Sequence, residues 1–320
     1  MNNTSVLVTG ATGFVGEAVL LRLLLDRKFV PVAAVRGASR FAGICKVVPL
    51  SLGDDSELPS FEGVTAVVHC AARVHVMNET AQDALAEFRK VNVDGTAYLA
   101  RKAAAEGVRR FIFISSIKVN GERTNEAAPF KFDDLPAPKD SYGQSKYEAE
   151  QILHKISRET GMEVVIIRPP LVYGPGVKAN FLTMMNWLSK GVPLPFGKIA
   201  NRRSLVSVSN LADLVVLCVD HPAAPGNTFL VSDGESLSTT QLLKNIGDAL
   251  GHPALLLPVP AWLLKGLLRL LGRGLIAQRL FDSLEVDISR TQEVLGWTPL
   301  VSVSRAIHQT VDHYLDTQSK

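Results

Sequence analysis

The chain has 320 residues, of which 47% are hydrophobic and 20% are charged. These are ordinary values for globular proteins, so the composition excludes a disordered chain. The formal net charge is +3 with both signs scattered along the sequence, which gives no reason to expect a nucleic-acid partner.

Short β-branched runs alternate with helical patterns, which is the arrangement of a parallel sheet with helices on both faces. The predicted strands are 6–9, 30–35, 46–50, 66–70, 110–115 and 164–168. The predicted helices are 17–26, 84–106 and 141–160. Gly107 and Gly161 follow the last two helices, where helix stop signals are expected. The predicted fold class is therefore α/β, with a doubly wound parallel sheet.

A glycine-rich turn follows the first predicted strand and precedes a helix that opens with Glu17. Glycine lets the backbone approach a pyrophosphate, and a helix N-terminus offers unpaired amides and a partial positive charge. This strand–turn–helix context favours a dinucleotide site over an ordinary turn. The predicted cofactor contacts in the turn are Gly10, Thr12, Gly13, Phe14, Val15 and Gly16.

The end of the second strand bears on the choice of cofactor. An acid there binds the adenosine ribose hydroxyls, whereas an arginine accommodates a 2′-phosphate. This strand is followed by Arg36 and Arg40 without a carboxylate. The sequence therefore favours NADP(H) over NAD(H), unless the two arginines are solvated surface charges.

Three features bear on the compartment. Cys45, Cys70 and Cys218 lack the spacing of a metal site or a redox pair, so no metal is predicted and a reducing compartment is expected. Residues 1–4 lack the basic start of a secretory signal. Prolines and cations interrupt the apolar stretch 255–271, which argues against a membrane span. We therefore expect a cytoplasmic protein without stable membrane insertion.

Further motifs extend over nearly the whole chain. They are the GxxGxxG turn, His69-Cys70-Ala71-Ala72, Val91-Asn92-Val93-Asp94-Gly95-Thr96, Ser115-Ser116, Tyr142-x-x-x-Lys146, Arg168-Pro169 and Tyr173-Gly174-Pro175. In this order they resemble the extended short-chain dehydrogenases/reductases of the NAD-dependent epimerase/dehydratase family. The resemblance implies a Rossmann-type sheet over 1–175 plus about 205–235. It implies a smaller α/β nucleotide-sugar domain over 176–204 and 236–320.

The resemblance implies that Ser116, Tyr142 and Lys146 form the catalytic set. Tyr142 and Lys146 lie four residues apart and so share one helix face, where the lysine ammonium lowers the pKa of the phenol. In the reductive direction Tyr142 protonates a ketone oxygen while Ser116 orients that oxygen. Lys146 also holds the nicotinamide ribose. The alternative is the ordinary start of an amphipathic helix.

By the same resemblance, cofactor contacts are also expected from residues outside the turn. These are Leu52, Ala71, Ala72, Asn92, Tyr142, Lys146 and Pro169. The adenine contact has two possible registers, because Gly53-Asp54 competes with the alignment that selects Leu52.

Substrate contacts are expected from Ser116, Tyr142 and five further residues. Arg203 matches the family's arginine at the nucleotide diphosphate, although its neighbour Arg202 leaves the assignment open by one residue. Asn180 is either a pyrophosphate contact or a helix cap. Lys118 either lies near substrate or points to solvent, and His75 lies near the sugar or in the core. Arg279 is a candidate second diphosphate contact.

Departures from the family pattern narrow the reaction. Ile117 and Lys118 stand where sugar-nucleotide dehydratases carry an Asp-Glu pair, so a dehydratase is disfavoured. Three segments, 71–77, 115–121 and 168–173, most resemble bacterial reductases of O-antigen (lipopolysaccharide) synthesis. These reduce UDP-2-acetamido-2,6-dideoxy-4-hexulose to UDP-N-acetylquinovosamine or UDP-N-acetylfucosamine. The alternative is a UDP-sugar 4-epimerase.

Two further expectations complete the functional interpretation. A non-catalytic dinucleotide sensor is the remote alternative, which the presence of Tyr142 and Lys146 disfavours. The family relationship also implies a homodimer. The basic amphipathic stretch 261–281 is interpreted as a cover over the substrate pocket, with contact to a membrane surface as the alternative.

Overall fold

The computed structural model describes residues 4–53, 58–74, 83–125, 128–270 and 274–318. Its strands are β1 (Thr4–Thr9), β2 (Phe29–Val35), β3 (Lys46–Pro49), β4 (Val64–His69), β5 (Arg110–Ile114), β6 (Glu163–Arg168), β7 (Leu171–Tyr173), β8 (Arg203–Ser207), β9 (Thr228–Leu230) and β10 (Ser236–Leu237). Its helices are α1 (Phe14–Asp26), α2 (Ala84–Arg89), α3 (Thr96–Ala105), α4 (Ser141–Thr160), α5 (Ala179–Ser189), α6 (Val208–Asp220), α7 (Thr239–Ala249), α8 (Ala261–Leu270), α9 (Gly274–Phe281), α10 (Ser289–Leu295) and α11 (Val303–Gln318).

The main sheet has seven parallel strands in the order β3-β2-β1-β4-β5-β6-β9. The order reverses between β1 and β4, which is the crevice where doubly wound sheets bind ligands. All six predicted strands are confirmed to within two residues at each end. The sequence analysis missed β9, which is only three residues long and completes the sheet beside β6.

All three predicted helices were confirmed. α4 spans Ser141–Thr160 as predicted, and the C-cap Gly161 adopts φ 76°. α1 begins at Phe14, three residues earlier than predicted. The helix predicted over 84–106 is continuous from Ala84 to Ala105, but a π-helical turn, Lys90–Gly95, lies between its two α-helical parts, α2 and α3, and was not predicted. Apolar periodicity does not distinguish a π turn from an α turn inside a longer helix.

Each face of the main sheet has its own apolar core. Val6 and Val8 of β1 point to the side covered by α1 and α6, whereas Leu7 points to the side covered by α3 and α4. The alternation follows from the two-residue repeat of a strand. Because both faces are buried, β1 is rigidly held where it delivers the glycine-rich turn.

A second layer is built from chain segments beyond β6. β7 pairs in parallel with β8, which pairs antiparallel with β10. α5, α7 and α11 contribute to a separate apolar cluster beside this small sheet. The buried Tyr173 hydroxyl donates to Asp233 Oδ2 at 2.8 Å. The predicted boundaries between two domains stay a prediction.

The structure bears on the expectations for the three cysteines and for membrane insertion. Cys45, Cys70 and Cys218 are free thiols. Burial raises the pKa of Cys70 and Cys218 to about 12, so both are protonated at neutral pH. In the described ranges, no helix is both long enough and apolar enough to cross a bilayer.

Candidate active site

The glycine-rich turn connects β1 to α1 at the sheet's reversal point. Gly10 adopts φ +63°, and a side-chain carbon there would lie 2.8 Å from Ala71 N. A side-chain carbon at Gly16 would lie 2.2 Å from the Gly10 carbonyl oxygen. The backbone therefore leaves no space for a larger residue at either position. Thr12 and Gly13 are exposed beside this close contact, at the uncapped start of α1.

The carboxyl end of β2 presents two cations. Arg36 and Arg40 are exposed. The Arg40 guanidinium contacts Glu17 of α1 and lies 5.7 Å from the Phe41 ring centroid. Arg40 therefore lies beside the first turn of α1, and the preference for NADP(H) stays a prediction.

A buried imidazole ties the strand ends together beneath this turn. His69 hydrogen-bonds Thr9 Oγ1 at 2.7 Å through Nδ1 and Thr96 Oγ1 at 2.9 Å through Nε2. Thr9 Oγ1 also accepts from Ala71 N at 3.1 Å. Burial lowers the pKa of His69 to about 3, so the ring is neutral. The network positions Ala71 and Ala72, which are half-buried beside the turn.

Asn92 connects the loop after β4 to α4. It is 1% exposed, and its amide donates to Arg73 O and to Ser145 Oγ, both at 3.0 Å. Its Oδ1 accepts from Arg73 N at 2.8 Å. Both amide hydrogens are thus used within the protein. These contacts make Asn92 a positioning residue, and its predicted cofactor contact stays a prediction.

Two other predicted cofactor residues lie at the carboxyl edge of the sheet. Leu52 is half-buried against the core under α3, where a side-chain carbon at Gly95 would come within 3.0 Å of it. Pro169 is buried, and its carbonyl accepts from Ile117 N at 3.0 Å. In the competing adenine register, Asp54 lies outside the described residues.

The structure brings the predicted catalytic residues to neighbouring elements. Ser116 caps the 3-10 turn Ile117–Val119, where its Oγ accepts from Lys118 N at 3.2 Å. Tyr142 is the second residue of α4, whose N-terminus packs on that turn. The contact is close, because a side-chain carbon at Gly143 would lie 2.9 Å from Lys118 O.

Lys146 lies one helical turn beyond Tyr142 and is 2% exposed. Its Nζ donates to Ile114 O at 2.7 Å and lies 4.3 Å from the Phe113 ring centroid. Burial lowers the pKa of Lys146 to about 8. The ammonium is therefore held by a strand carbonyl and a ring face, and burial makes it easier to deprotonate than an exposed lysine.

The pKa of Tyr142 differs from the sequence-based expectation. Burial and the negative charge of Asp140 raise the pKa of its phenol above the ordinary value, instead of Lys146 lowering it. The Tyr142 ring packs edge-on against Phe88 at 6.0 Å, which removes water from one side. In these surroundings Tyr142 is a proton donor, and a nearby cation must stabilise its ionised form.

A buried ion pair behind the catalytic residues was missed by the sequence analysis. Arg168 donates to Glu150 through Nε at 3.0 Å and through Nη2 at 2.6 Å, and both side chains are nearly inaccessible. Ser115 Oγ also donates to Glu150. Glu150 follows Lys146 by four residues and so continues the helix face of Tyr142 and Lys146. This third polar residue on one face could have indicated a buried partner for Glu150.

Arg168 also reaches the loop beyond the 3-10 turn. Its Nη1 donates to Asn120 Oδ1 at 2.9 Å, and Asn120 Nδ2 donates to Lys131 O at 2.9 Å. One guanidinium therefore joins β6, α4 and the start of the 120–131 loop. A planar, permanently charged group suits this role because it donates in several fixed directions.

Lys118 forms two ion pairs, and the choice between a position near substrate and one in solvent stays open. Its ammonium contacts Asp140 and lies 3.3 Å from Glu122 Oε1. Asp140 is the N-cap of α4, where its Oδ1 accepts from Gly143 N at 2.7 Å. The Lys118–Asp140 pair thus lies between the 3-10 turn and the helix that carries Tyr142.

A cavity of about 690 Å³ opens beside this pair. Its polar lining includes Asn120, Glu122, Arg123, Lys139, Lys265 and Arg269. Across it, Gln278 Nε2 donates to Glu122 Oε2 at 3.1 Å. α8 and α9 therefore line one side of this cavity, and their predicted role as a cover over the substrate pocket stays a prediction.

The predicted diphosphate residues are distributed over the second layer. Arg203 is half-buried, and its Nη1 donates to Asp282 O at 2.9 Å. Arg202 is exposed and pairs with Glu285 at 2.9 Å. Arg203 is therefore the residue that the structure turns towards α9, although its contact with a diphosphate stays a prediction.

The remaining substrate predictions have mixed outcomes. Asn180 is exposed as the second residue of α5, and Lys178 holds the N-cap position, so the cap alternative for Asn180 is wrong. Arg279 belongs to α9, but its side chain lies outside what the structure describes. His75 also lies outside the described residues.

Comparison with known proteins tests the resemblance that these motifs carry. The model of the NAD dependent epimerase/dehydratase family matches residues 6–232. The chain belongs to this family. The predicted resemblance and the predicted Rossmann-type fold are thereby confirmed, and the chain is a member of an NAD-dependent enzyme family.

Similar proteins match almost the whole chain. A Vibrio cholerae protein named UDP-glucose 4-epimerase is 48% identical over 319 residues, which cover 99% of this chain and 97% of the relative. The 3 beta-hydroxysteroid dehydrogenase/Delta 5-->4-isomerase of Mycobacterium tuberculosis is 27% identical over 97% of this chain and 90% of its own.

Solved structures share the fold. UDP-glucuronic acid 4-epimerase from Bacillus cereus, in complex with NAD, superposes with a TM-score of 0.80 at 19% identity, over 99% of this chain and 100% of that one. UDP-glucose 4-epimerase from Thermotoga maritima, with UDP-glucose, gives 0.77 at 23% identity, over 98% and 100%.

Proposed function

We propose that this chain is an NAD(P)-dependent oxidoreductase that acts at C4 of a UDP-sugar. The observation that carries the proposal is the packing of the start of α4, which carries Tyr142, against the turn capped by Ser116, with Lys146 buried one helical turn away. The Vibrio cholerae relative supports the substrate class, because it is named UDP-glucose 4-epimerase and matches over almost its full length.

The glycine-rich turn fits a dinucleotide. Gly10 and Gly16 leave only backbone at the start of α1, so the uncapped amides there are free to receive a pyrophosphate. We assign the nicotinamide half to the edge formed by Ala71, Ala72 and Pro169. When bound, the nicotinamide accepts or donates the hydride.

The catalytic residues of this chain handle the proton and the orientation of the reacting oxygen. Tyr142 takes the C4 hydroxyl proton in the oxidative direction and returns it in the reductive one. Ser116 donates to the same oxygen and so fixes its position. The Lys146 ammonium stabilises the ionised phenol, which burial and Asp140 otherwise disfavour. Positioned acid–base groups of this kind contribute about 10²–10⁴-fold in rate.

Two reactions share this C4 step. The relative's name supports a 4-epimerase, which keeps its reduced cofactor and returns hydride to the other face of a 4-keto intermediate. A 4-ketoreductase, acting on UDP-2-acetamido-2,6-dideoxy-4-hexulose in O-antigen synthesis, is the second candidate. It is favoured by the exposed Arg36 and Arg40, which suit an exchanging NADPH.

The same proposal assigns substrate contacts beyond the catalytic residues. Arg203 and Arg279 are the proposed diphosphate ligands, with Asn180 at the pyrophosphate and Lys118 near the sugar. The segments 176–204 and 236–320 form the proposed nucleotide-sugar domain, and two copies of the chain form the proposed homodimer.

One experiment separates the two reactions. Purified protein is mixed with NADPH or NADH and the freshly prepared 4-keto sugar, and the absorbance of the reduced cofactor is followed. Loss of one reduced cofactor per 4-hydroxy sugar formed establishes the reductase and ranks the cofactors. No loss, together with interconversion of UDP-glucose and UDP-galactose or their N-acetyl forms, establishes the epimerase. If neither reaction is observed with any of these sugars, the proposed C4 activity is contradicted.

A further inference from the structure

α8 presents an apolar face to solvent. Among the side chains of α8 that the structure describes, the four most exposed apolar ones are Trp262 at 74%, Leu263 at 50%, Leu267 at 53% and Leu270 at 87%. At about 100° per residue these positions span an arc of about 140° on one side of the helix. Single exposed apolar residues are ordinary on protein surfaces, whereas four on one short helix face form a patch that indicates an interaction site.

The patch is not required to hold α8 on the protein. The opposite side of the helix buries Leu264 in a small cluster with Ile199, Ala277 and Phe281. Lys265 reinforces this contact, because its Nζ lies 3.3 Å from Asp282 Oδ1 and 5.6 Å from the Phe281 ring centroid. The helix is thus anchored by one face while the exposed face has no described apolar neighbour that would shield it.

The segment around α8 carries an excess of cations, and Asp282, which follows it, pairs with Lys265. Residues 255–281 contain Lys265, Arg269, Arg273 and Arg279 but no Asp or Glu. These four cations exceed the formal charge of +3 of the entire chain, so the remainder of the protein is slightly acidic. Within the helix, Arg269 is exposed at the edge of the apolar arc. An apolar face bordered by cations is complementary to an anionic lipid surface.

We propose that α8 binds the surface of an anionic phospholipid bilayer, with Trp262, Leu263, Leu267 and Leu270 entering the boundary between headgroups and acyl chains. A helix of ten residues is too short to span a bilayer, so it lies along the surface. A second copy of this chain is the less suitable occupant, because a two-fold contact would bring two cationic segments together.

The proposed membrane contact also has a consequence for the candidate site. Lys265 and Arg269 of the same helix line the 690 Å³ cavity. Membrane-bound protein would therefore hold this cavity close to the lipid surface. The inference concerns an exposed face and does not depend on the proposed C4 chemistry.

The test uses the full-length protein and sedimentation with vesicles. We expect binding to vesicles with about one third phosphatidylglycerol in phosphatidylcholine, and at least about tenfold weaker binding to pure phosphatidylcholine. Salt at about 0.5 M weakens the binding because it screens exposed charges. If the protein sediments equally with vesicles that contain phosphatidylglycerol and with pure phosphatidylcholine vesicles, or without vesicles, the proposal is wrong.

A matched pair of variants tests the assigned residues. Trp262→Ser/Leu270→Ser removes the two most exposed side chains of the patch, whereas Leu25→Ser/Leu135→Ser removes side chains of similar exposure, 77% and 89%, elsewhere. We expect the first variant to bind phosphatidylglycerol vesicles at least about tenfold more weakly and the second to bind like the unchanged protein. Equal loss in both variants, or loss in neither, would contradict the assignment.

Two further readouts do not depend on affinity. In a Trp187→Phe background, the exposed Trp262 is expected to shift its emission to shorter wavelength on vesicle addition, since the buried Trp297 has little exposure to lose. The oligomeric state, measured by light scattering, identifies the competing occupant. If Trp262→Ser/Leu270→Ser separates a dimer into monomers and vesicles cause no emission shift, the face is a subunit interface and the membrane proposal is wrong.

Discussion

The catalytic helix and the C-terminal helices use charged residues in opposite ways. Around α4 the key charges are buried and satisfied by fixed partners, as with Lys146 at Ile114 O and Arg168 at Glu150. Around α8 the charges are half-buried or exposed beside a cavity and an apolar surface, as with Lys265 and Arg269. The comparison indicates a rigid region for proton transfer and a separate region for binding.

The difference also has an energetic side. A buried ion pair is expensive to break, because removal of one partner leaves an uncompensated charge in a low-dielectric interior. An exposed pair contributes little, since water and salt already solvate both groups. Substitutions around α4 should therefore be costly, and substitutions around α8 should mainly change binding.

The largest expected effect comes from the phenol itself. Tyr142→Phe keeps the ring contact with Phe88 but removes the transferable proton, so we expect turnover to fall by about 10²–10⁴-fold with cofactor affinity nearly unchanged. Hydride transfer is followed by absorbance and cofactor binding by calorimetry. Unchanged turnover would contradict the assignment, and unchanged function in every assay would favour a dinucleotide sensor over an enzyme.

The contrast between buried and exposed pairs can be measured on one helix. Arg168→Met leaves Glu150 buried without its cation, and we expect a loss of about 3–5 kcal/mol in the free energy of unfolding. Glu148, on the same helix as Glu150, forms a more exposed pair with Arg89 of α2. Glu148→Gln breaks this pair, and we expect a loss below about 1 kcal/mol. Urea unfolding measures both. Similar losses in the two variants would remove the energetic distinction.

Two glycines test the same contrast between a closed and an open region. Gly16→Ala places a carbon against the Gly10 carbonyl, and we expect it to lose about 1–3 kcal/mol of stability together with dinucleotide affinity. Gly266→Ala in α8 meets open space and should gain about 0.5–1 kcal/mol, because alanine favours helix. Urea unfolding and cofactor titration check both. A neutral Gly16→Ala would show that the turn is looser than its contacts indicate.

The smallest expected effect concerns pH. Asp140 raises the pKa of Tyr142, and Asn at this position keeps an acceptor for Gly143 N without the charge. Asp140→Asn therefore lowers the pKa of the phenol, and the ascending limb of kcat/KM for sugar oxidation moves to lower pH by about half a unit. Glu122→Gln is the control, since Glu122 shares Lys118 with Asp140. A shift towards higher pH would reverse the assigned sign.

Sequence alone predicted the parts of the site that depend on local chain geometry. The six strands were identifiable because buried parallel strands are continuous β-branched runs. The glycine turn and the Tyr142–Lys146 pair follow from spacings of three and four residues. The helix that carries this pair was predicted with its correct bounds, because Gly161 ends it in a left-handed conformation.

What could not be predicted depends on contacts between distant segments. The ion pair of Glu150 with Arg168 forms only when β6 lies beside α4, and Arg203 finds its carbonyl partner 79 residues away. The raised pKa of Tyr142 likewise needs the burial and the nearby Asp140 that only the folded chain provides. β9 was missed because three residues carry too little pattern.

The π turn Lys90–Gly95 restricts how the length of this chain can vary. It contains one residue more than a regular helical turn, and it presents Asn92 to Arg73 and Ser145. Deletion of one residue there would turn the segment into a regular α-helix and rotate α3 by about 100° relative to α2. Asn92 would then leave its partners while α3 turned its apolar face from the core. In a mutational scan, we therefore expect insertions and deletions in this segment to abolish folding, whereas most single substitutions on its exposed side are tolerated.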